Sequence, residues 1–366
     1  MGVIRKRVLT SIKDINKSEW NAVFGDLPEG YDFYRTLEES GLEQFCFFYI
    51  IFHRDKRTLL IAPVFIAEIN LDIAIDGPLS KIIKSIRKRA PRFLMVKALF
   101  CGSPCGENGR IGIREGLAKT EKEALALRLS KTMTRLSRKK RVGLVIFKDF
   151  LSQDTDTLDR LKRNGFFKIR SLPSVTIDIA FDSMDGYLKL LGRSTRKDLR
   201  RKLNRSNVSN NIRIDVADNI DGSIDRIYEL YLNTYNAGTV KFERLTKEFF
   251  ARIIKNLGPN ARFFLYYVDN RLAAFNLCFI YNDLFIDKFI GFDYDLSFKH
   301  NLYFVSWYHN IEWCLKNSIR RYQVGQTDYG PKIGLGGKTV DLYAYGRHRN
   351  ILLNLLLNGT ARLLKL

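Results

Sequence analysis

The sequence predicts an α/β protein, in detail an α+β arrangement of mixed sheets, that contains two related domains. The chain has 366 residues, of which 46% are hydrophobic and 13% aromatic. That is enough apolar material for one or two buried cores, and it excludes disorder as the main state. Runs of β-branched and aromatic residues predict strands, and each half of the chain contains one strong helical pattern between such runs.

The first half reads as a hairpin, a further strand that ends before glycine, a helix and another strand. Thr120 and Glu123 have the spacing of a capping box at the start of the helix. An extra stretch at about 70–92 precedes the third strand and is predicted to be an insertion. The predicted elements are strands Phe45–Phe52, Thr58–Ile69 and Phe93–Phe100, the helix from Thr120 to about Leu136, and strand Leu144–Phe147.

The second half repeats this order, although the two halves share negligible sequence identity. The repeat of element order therefore predicts a degenerate duplication of one α/β unit. The predicted elements are strands Arg262–Val268, Arg271–Ile280 and Leu284–Ile290, a helix from about Leu302 to Leu315, and strand Arg321–Val324.

The charge balance predicts an anionic partner. Lys and Arg number 61 against 39 Asp and Glu, a formal net charge of +22. An acidic carrier protein, tRNA and a membrane surface all fit this charge equally well. The five cysteines lack zinc-site spacing, so no metal is expected. No apolar run approaches the ~18–20 residues of a transmembrane helix. We therefore expect a cytoplasmic protein or one peripheral to a membrane.

The segment 193–205 is predicted to be a basic amphipathic helix that docks the anionic partner. It contains seven cations and a single acid, Asp198, and Ser194 is a candidate helix cap. A solvated surface helix without a partner is the alternative interpretation. The cations proposed to dock the partner are Arg193, Arg196, Lys197, Arg200 and Arg201.

A glycine-rich segment at 323–338 is predicted to be a ligand-binding loop. Closely spaced glycines allow backbone amides to approach an anion, and Lys332 and Lys338 add positive charge. The segment is not a P-loop, because Lys332 stands where that motif requires its first glycine. An ordinary surface loop is the alternative.

Asp287 is a candidate general base because it interrupts an apolar strand in the sequence LFIDKFIG. Pairing with a lysine that only holds the sheet is an equally weighted alternative. Tyr303 is a candidate acid. No cysteine–histidine or serine–histidine arrangement indicates covalent catalysis.

The second half resembles the GNAT acyltransferase superfamily, and within it the Fem-type and other tandem-GNAT transferases. The resemblance rests on GRSTRKDLRRK at 192–202, LFIDKFIGFDYD at 284–295, the helix opening at Asn301–Tyr303, and YQVGQTDYGPKIGLGGK at 322–338. It implies two GNAT-like domains, at 1–180 and 181–366, each a twisted mixed sheet flanked by helices.

The resemblance also implies the chemistry of the site. The donor would be a co-substrate (a CoA thioester, an acyl carrier protein or an aminoacyl-tRNA), and the acceptor a small amine-bearing molecule. Asp287, Lys332 and Tyr303 would be catalytic. Donor or phosphate contacts are expected from Asn301, Gly330, Gly334 and Lys338. The segment 297–301 lacks the glycines of the usual pyrophosphate loop, which disfavours free acetyl-CoA.

Three functions fit these observations. Acyl transfer from a thioester ranks first and aminoacyl-tRNA-dependent transfer second. A binding module for nucleic acid or membrane, without catalytic activity, is third. The leucine-rich C-terminus at 351–366 is predicted to be a helix docked on the core, in preference to a helix lying on a membrane.

Overall fold

The structure is a computed structural model, which describes residues 2–27, 29–70, 83, 85–90, 92–208, 212–238 and 241–363. In chain order the strands are β1 (Ile4–Leu9), β2 (Cys46–Arg54), β3 (Arg57–Asn70), β4 (Met95–Cys101), β5 (Gly112–Ile113), β6 (Leu144–Leu151), β7 (Phe167–Arg170), β8 (Ser174–Asp178), β9 (Ile212–Ala217), β10 (Ala261–Val268), β11 (Arg271–Tyr281), β12 (Leu284–Phe292), β13 (Arg321–Gln323), β14 (Lys338–Val340) and β15 (Leu342–His348).

The helices complete the α/β arrangement that the sequence predicts. They are α1 (Lys17–Phe24), α2 (Tyr31–Glu39), α3 (Lys119–Lys139), α4 (Thr155–Leu158), α5 (Met184–Leu190), α6 (Arg193–Val208), α7 (Ile224–Ala237), α8 (Lys247–Leu257), α9 (Tyr294–His300), α10 (Leu302–Lys316), α11 (Tyr329–Gly334) and α12 (Ile351–Leu363). The predicted fold class is confirmed. The predicted insertion at 70–92 lies largely outside the described residues.

The chain forms two compact units. Unit 1 contains 1–26, 42–173 and 341–366, and unit 2 contains 27–41 and 174–340. The predicted division at residue 180 gave each domain one continuous segment, whereas each unit here includes a segment from the other half. Hydrogen bonding and packing explain this difference: β15 pairs with β6 and β7 in unit 1, and α2 packs against α8 in unit 2.

The two sheets have the same construction. In unit 1 the order is β1-β2-β3-β4-β6-β15-β7, and in unit 2 it is β9-β10-β11-β12-β13-β8-β14. Each order contains one parallel pair, β4 with β6 and β12 with β13, flanked by antiparallel strands. In each sheet the sixth strand, β15 or β8, comes from the other half of the sequence. These matching orders support the predicted duplication.

The strands form where they do because long apolar runs are buried. The central residues of β3 and β11 are buried in an almost unbroken series, as expected when helices cover a sheet. Polar turns such as Asp269-Asn270, both with positive φ, end these runs. The core of unit 1 includes Leu129 of α3 and Phe147 of β6, and that of unit 2 includes Trp307 of α10 and Tyr322 of β13.

The predicted capping box is wrong. The N-cap of α3 is Ala118, whose backbone N–H donates to Glu121 at 3.3 Å, so Thr120 lies within the first turn. Glu123 instead accepts a hydrogen bond from Arg160 at 2.7 Å. The helix begins two residues earlier than the sequence spacing predicts. Glu121, at the third helical position, accepts the hydrogen bond from the N–H of Ala118.

Candidate active site

A parallel strand pair opens at its carboxyl end in unit 2. β12 pairs with β13 only through Leu284–Ile286 and Arg321–Gln323. β13 also pairs with β8 on its other side, and after Gln323 the chain stays with β8: the Val324 N–H donates to the Val175 carbonyl oxygen at 2.9 Å, and the Val175 N–H donates to the Gly325 carbonyl oxygen at 3.0 Å. In this register the edge of β12 beyond Ile286 has no strand partner on the β13 side. An unpaired edge of this kind offers backbone N–H and C=O groups to an extended ligand.

Asp287 is the first residue beyond the paired stretch, and neutral donors hold its carboxylate. Asn276 Nδ2 donates to Oδ1 at 2.9 Å, and the Tyr322 hydroxyl donates to Oδ2 at 3.2 Å. Asn310 Nδ2 donates to the Tyr322 oxygen at 2.9 Å and lies 3.5 Å from Asp287 Oδ2. Residues from β11, β13 and α10 therefore fix the position of one carboxylate.

Asp287 is less buried than the residues that hold it. Asn276, Asn310 and Tyr322 are buried, whereas Asp287 is partly exposed. A β-bulge accompanies it: Cys278 pairs with Asp287 and Leu277 with Phe289, so Lys288 is the extra residue. Bulges redirect side chains and are frequent beside active sites. A fixed, accessible carboxylate at a strand opening is suited to accept a proton.

The side chain of Lys288 makes a separate ion pair. Its amine lies 2.6 Å from Glu29 Oε1, and both side chains are almost completely buried. The aromatic rings of Phe33 and Phe289 lie within 6 Å of the same amine. The lysine that neighbours Asp287 in sequence is thus held by a glutamate, which connects β12 to the segment just before α2.

Tyr303 lies in the first turn of α10, close to Asp287. Its hydroxyl is buried, and among the described residues it has no hydrogen-bond partner. Burial raises the pKa of Tyr303, and the charges of Asp287 and Asp328 raise it further. The hydroxyl therefore stays protonated and is available as a hydrogen-bond donor. The charge of Asp287 is felt at the Tyr303 hydroxyl, and a shared role of the two residues stays a prediction.

Tyr187 and Trp307 connect the site to the segment after β13. Trp307 Nε1 donates to the Tyr187 hydroxyl at 2.9 Å, and that hydroxyl donates to the Leu335 carbonyl oxygen at 2.8 Å. These three residues belong to α10, to α5 and to the turn after α11. The chain from 325 to 338 is therefore anchored to the same helix that carries Tyr303.

The glycine-rich segment is not the loop that the sequence predicts. It contains α11 and β14, and Lys338 lies in β14 with its amine 3.0 Å from Asp178. The amine of Lys332 donates to the Gln326 carbonyl oxygen at 2.9 Å. Backbone pairing explains the difference, since the N–H of Gly337 donates to the Lys332 carbonyl oxygen at 2.9 Å and β14 then joins β8.

Two glycines that the sequence analysis assigns to donor binding, Gly330 and Gly334, lie in α11. A Cβ added at either would meet no atom within 4 Å. Both glycines are exposed. Neither glycine is required by the packing of unit 2.

The basic helix forms as predicted, over Arg193–Val208, and it packs beside α9 and α10. Lys202 Nζ lies 3.6 Å from the centre of the Phe304 ring, and Ser206 Oγ donates to the His300 carbonyl oxygen at 2.6 Å. Asp198 forms ion pairs with Arg201 and Lys202, and Arg200 lies 3.8 Å from Asp185.

Three cations at the start of this helix form no ion pair within the described chain: Arg193, Arg196 and Lys197. The other two predicted docking residues, Arg200 and Arg201, are partly neutralised by Asp185 and Asp198. Asn301, in the left-handed conformation with φ of 53°, joins α9 to α10. Its Nδ2 is buried and has no partner among the residues described. These three cations lie in α6, and the Asn301 amide lies between α9 and α10, the two helices against which α6 packs.

The parallel pair of unit 1 differs at the matching position. Its nearby carboxylate, Asp149 of β6, is buried and is held by Lys148 and Ser171. There the last paired residues are Cys101 and Phe147, and the next residue of β4 is Gly102. A partly exposed carboxylate at this position is thus described in unit 2, where β12 continues with Asp287. The thiols near Asp287 are also unsuited to attack: burial, and next the charge of Asp287, raises the pKa of Cys278, and burial raises that of Cys314.

A polar depression of about 540 Å³ does lie in unit 1, beside Arg7, His53 and Arg114. It includes none of the residues that the sequence analysis proposes for the site. Across the described ranges, no group of three or more His, Cys, Asp or Glu side chains is arranged to hold a metal ion.

Sequence reasoning missed the donors around Asp287, namely Asn276, Asn310 and Tyr322. One signal was available: Asn276 interrupts the apolar strand LAAFNLCFI just as Asp287 interrupts LFIDKFIG. A polar side chain in a buried strand needs a partner, and two adjacent strands with one such residue each predict a pair.

Comparison with known proteins identifies the part of unit 2 that carries these residues. The family model for the acetyltransferase (GNAT) domain matches residues 193–332. Residues 193–332 are therefore similar to a GNAT acetyltransferase domain. The resemblance predicted from the sequence is thereby confirmed, and Asp287, Asn301, Tyr303 and Lys332 all lie within the matched range.

Solved structures show the same fold over the whole chain. "Crystal structure of FemX" matches with a TM-score of 0.59 and 13% identity, covering 97% of this chain and 100% of that one. A tandem GNAT protein from the clavulanic acid biosynthesis pathway matches with a TM-score of 0.56 and 12% identity, covering 95% and 99%.

The C-terminal domain of a putative lysylphosphatidylglycerol synthetase from Agrobacterium fabrum also matches, with a TM-score of 0.56 and 10% identity, covering 96% of each chain. No curated protein matches the sequence. At these identities the likeness establishes the tandem GNAT fold and nothing about the substrate.

Proposed function

We propose that the protein is an N-acyltransferase that moves an acyl group from a thioester donor, acyl-CoA or an acyl carrier protein, to an amine. The observation that carries this proposal is the Asp287 carboxylate, which is partly exposed and fixed by Asn276 and Tyr322 where β12 leaves β13. The position lies within the GNAT domain, whose members carry out acyl transfer.

In the proposed reaction Asp287 removes a proton from the acceptor amine. The nitrogen forms a bond to the thioester carbonyl carbon, and the carbon–sulfur bond breaks as the tetrahedral intermediate collapses. The proton passes to the leaving thiolate, so the carboxylate is regenerated and atoms balance. The buried Tyr303 hydroxyl is the proposed donor to the carbonyl oxygen, which becomes negative in the transition state. Most of the remaining rate enhancement is expected from orientation of the two substrates.

The donor is proposed to lie along the free edge of β12, towards the start of α10. We expect Asn301 Nδ2, which has no partner among the described residues, and the first backbone N–H groups of α10 to donate hydrogen bonds to it. Lys332, Lys338, Gly330 and Gly334 are proposed to contact the donor from the other side of the opening.

The position of α6 favours a donor carried on a macromolecule. Its free cations, Arg193, Arg196 and Lys197, belong to a helix that packs against α9 and α10. The segment 297–301 has no glycine, so it lacks the flexible backbone that usually surrounds a CoA pyrophosphate. Aminoacyl-tRNA is the second candidate donor, because its phosphates would meet the same cations.

The proposal is tested with three donors in parallel: acetyl-CoA, an acyl-loaded carrier protein and an aminoacyl-tRNA. Each is mixed with a panel of amines, and acylated products are detected by mass spectrometry. Products from the carrier protein or acetyl-CoA support thioester transfer, and products from aminoacyl-tRNA alone would replace it by the second candidate. No product with any donor, and no donor binding in a titration, would contradict enzymatic transfer.

A charge-reversal variant separates docking from chemistry. Arg193→Glu combined with Arg196→Glu and Lys197→Glu should weaken binding of the carrier or tRNA by ~10-fold or more and flatten its salt dependence. Lys255→Glu, on the exposed side of α8, is the matched control because it changes a surface cation far along the sequence from α6. If the triple variant binds the carrier or tRNA as tightly as the wild type does, α6 is a surface helix without a role in docking.

A further inference from the structure

The C-terminal helix α12 presents its leucines to solvent. Ile351 and Leu352 are each 76% exposed, Leu355 is 60% exposed and Leu356 is 62% exposed. Residues spaced i, i+1, i+4 and i+5 lie on one side of a helix. We call these four residues the leucine face. The predicted helix is confirmed, but the prediction that its leucines pack on the core is wrong.

The opposite, polar side of α12 is the one attached to unit 1. Asn354 Nδ2 donates to the Gly165 carbonyl oxygen at 3.0 Å, and Asn354 Oδ1 accepts from the His348 N–H at 2.7 Å. Ala361, two turns later on the same side, is buried. Asn350 caps the helix by accepting from the Leu353 N–H at 3.1 Å. Hydrogen bonds to asparagine thus fix an orientation in which the leucine face has no partner within the described chain.

Cations lie beside both points of attachment. The N–H of Arg349 donates to the Gly143 carbonyl oxygen at 2.8 Å, and the exposed Arg141 is two residues from Gly143. The exposed Arg163 is two residues from Gly165, which accepts the bond from Asn354. Arg349 is exposed as well. Three exposed arginines thus lie within two residues of the contacts that attach α12, and an apolar helix face combined with nearby cations is complementary to a lipid surface that carries negative headgroups.

We propose that the leucine face docks unit 1 on the surface of an anionic lipid bilayer. The 13 residues of α12 are too few to cross the hydrocarbon region, and no helix in the described part of the chain is long and apolar enough to do so. The leucines would enter the headgroup region while Arg141, Arg163 and Arg349 contact phosphates. A second copy of the chain fits less well, because a symmetric contact through this face would bring the same arginines together.

The test is sedimentation of the full chain with vesicles of phosphatidylcholine, with and without about 30 mol% phosphatidylglycerol. The wild type should bind the anionic vesicles at least ~10-fold more tightly than the neutral ones and should be released by about 0.5 M salt. Leu352→Asn combined with Leu355→Asn and Leu356→Asn should reduce binding at least ~10-fold, because apolar burial supplies part of the affinity.

Leu190→Asn is the matched control, since Leu190 is an exposed leucine of unit 2 (69% exposed) and its loss should not affect vesicle binding. Arg141→Glu combined with Arg163→Glu and Arg349→Glu should remove the preference for anionic vesicles. Wild-type binding by the triple asparagine variant, or equal binding to both vesicles, overturns the proposal. So does a wild-type dimer in gel filtration that the asparagine variant lacks, without vesicle binding. Each readout is binding, so the result is independent of the proposed acyl transfer.

Discussion

Replacement of Asp287 by asparagine separates a catalytic carboxylate from a structural one. The side chains have nearly the same shape, so the surrounding residues need not move. In the wild type, Oδ1 accepts from Asn276 and Oδ2 from the Tyr322 hydroxyl. An amide at 287 places a donor NH₂ against one of these donors. Asn276 can relieve the conflict by rotating its own amide, because its Oδ1 is buried without a partner.

The expected magnitudes follow from this geometry. One buried donor is left unsatisfied in the Asp287→Asn variant, which costs about 1–3 kcal/mol. For a unit of this size that is a fall in Tm of roughly 2–12 °C. Loss of a general base lowers the rate ~10²- to 10⁴-fold. We therefore expect kcat to fall far more than the change in stability explains, with the KM for the donor nearly unchanged.

Tyr322→Phe is the matched control for this variant. It removes the hydrogen bond to the carboxylate and the oxygen that accepts from buried Asn310, but it keeps the charge, so it should lower stability by about 1–3 kcal/mol and activity by less than ~10-fold. The assay measures acylated product in the presence of the best donor and acceptor, together with a thermal melt of each protein. Asp287→Asn turnover within a few-fold of the Tyr322→Phe variant would refute the role of Asp287 as a base.

Three further predictions concern residues around this site. Tyr303→Phe should leave the Tm unchanged, because the hydroxyl has no partner to lose, and should lower kcat ~10- to 1000-fold; a lower Tm with normal kcat would contradict it. Asp293 caps α9, and although burial alone would raise its pKa, the hydrogen bond from Arg226 holds that pKa below its ordinary 3.8. The stabilisation that ionised Asp293 provides is therefore complete above about pH 4 and is lost as pH falls through the folded-state pKa. The Tm difference between wild type and Asp293→Asn should thus be largest at neutral pH and should shrink in acid. A Tm difference that does not change with pH would exclude the ion pairs as its source. Gly337→Ala should destabilise the protein by about 1–3 kcal/mol, since its Cβ would lie 2.5 Å from a neighbouring valine methyl, whereas Gly334→Ala should be neutral in the same denaturant titration.

Local sequence signals located the secondary structure but could not choose strand partners. The run at 271–280 is apolar between two polar turns, and β11 spans Arg271–Tyr281. The strands β8 and β15 gave no sign that each would pair in the sheet of the other half, because strand pairing depends on contacts far apart in sequence. The orientation of α12 could not be predicted from local sequence either. Its many apolar residues favour a helix packed on the core. Its orientation is set by the hydrogen bonds of one asparagine.

The site was predictable in part for a similar reason. Asp287 was identified because a charged side chain within an apolar strand is unusual. Tyr322 and Asn310 were missed because neutral polar residues are common in strands and helices. Their role is visible only once the fold places Asp287 beside them. The glycine-rich segment shows the opposite error: its composition predicts a loop, but Gly337 is required for close packing and β14 forms after it.

The comparison of the two sheets explains why one unit carries the proposed chemistry. Both contain a parallel pair that opens, so the opening alone does not make a site. In unit 1 the residue after the pair is Gly102, with φ of 127°, and its N–H donates to the Pro63 carbonyl oxygen at 3.0 Å. The chain turns there in a conformation that favours glycine. In unit 2 the strand continues past Asp287 through a bulge, so a side chain is presented at the opening. A Gly102→Asp change would thus add a carboxylate to unit 1 only in a strained backbone and without the amide donors that fix Asp287. Unit 1 does carry a carboxylate just beyond its pair, Asp149 of β6, but that residue is buried and is held by Lys148 and Ser171. The two openings therefore differ in exposure: unit 2 presents a partly exposed carboxylate held by Asn276 and Tyr322.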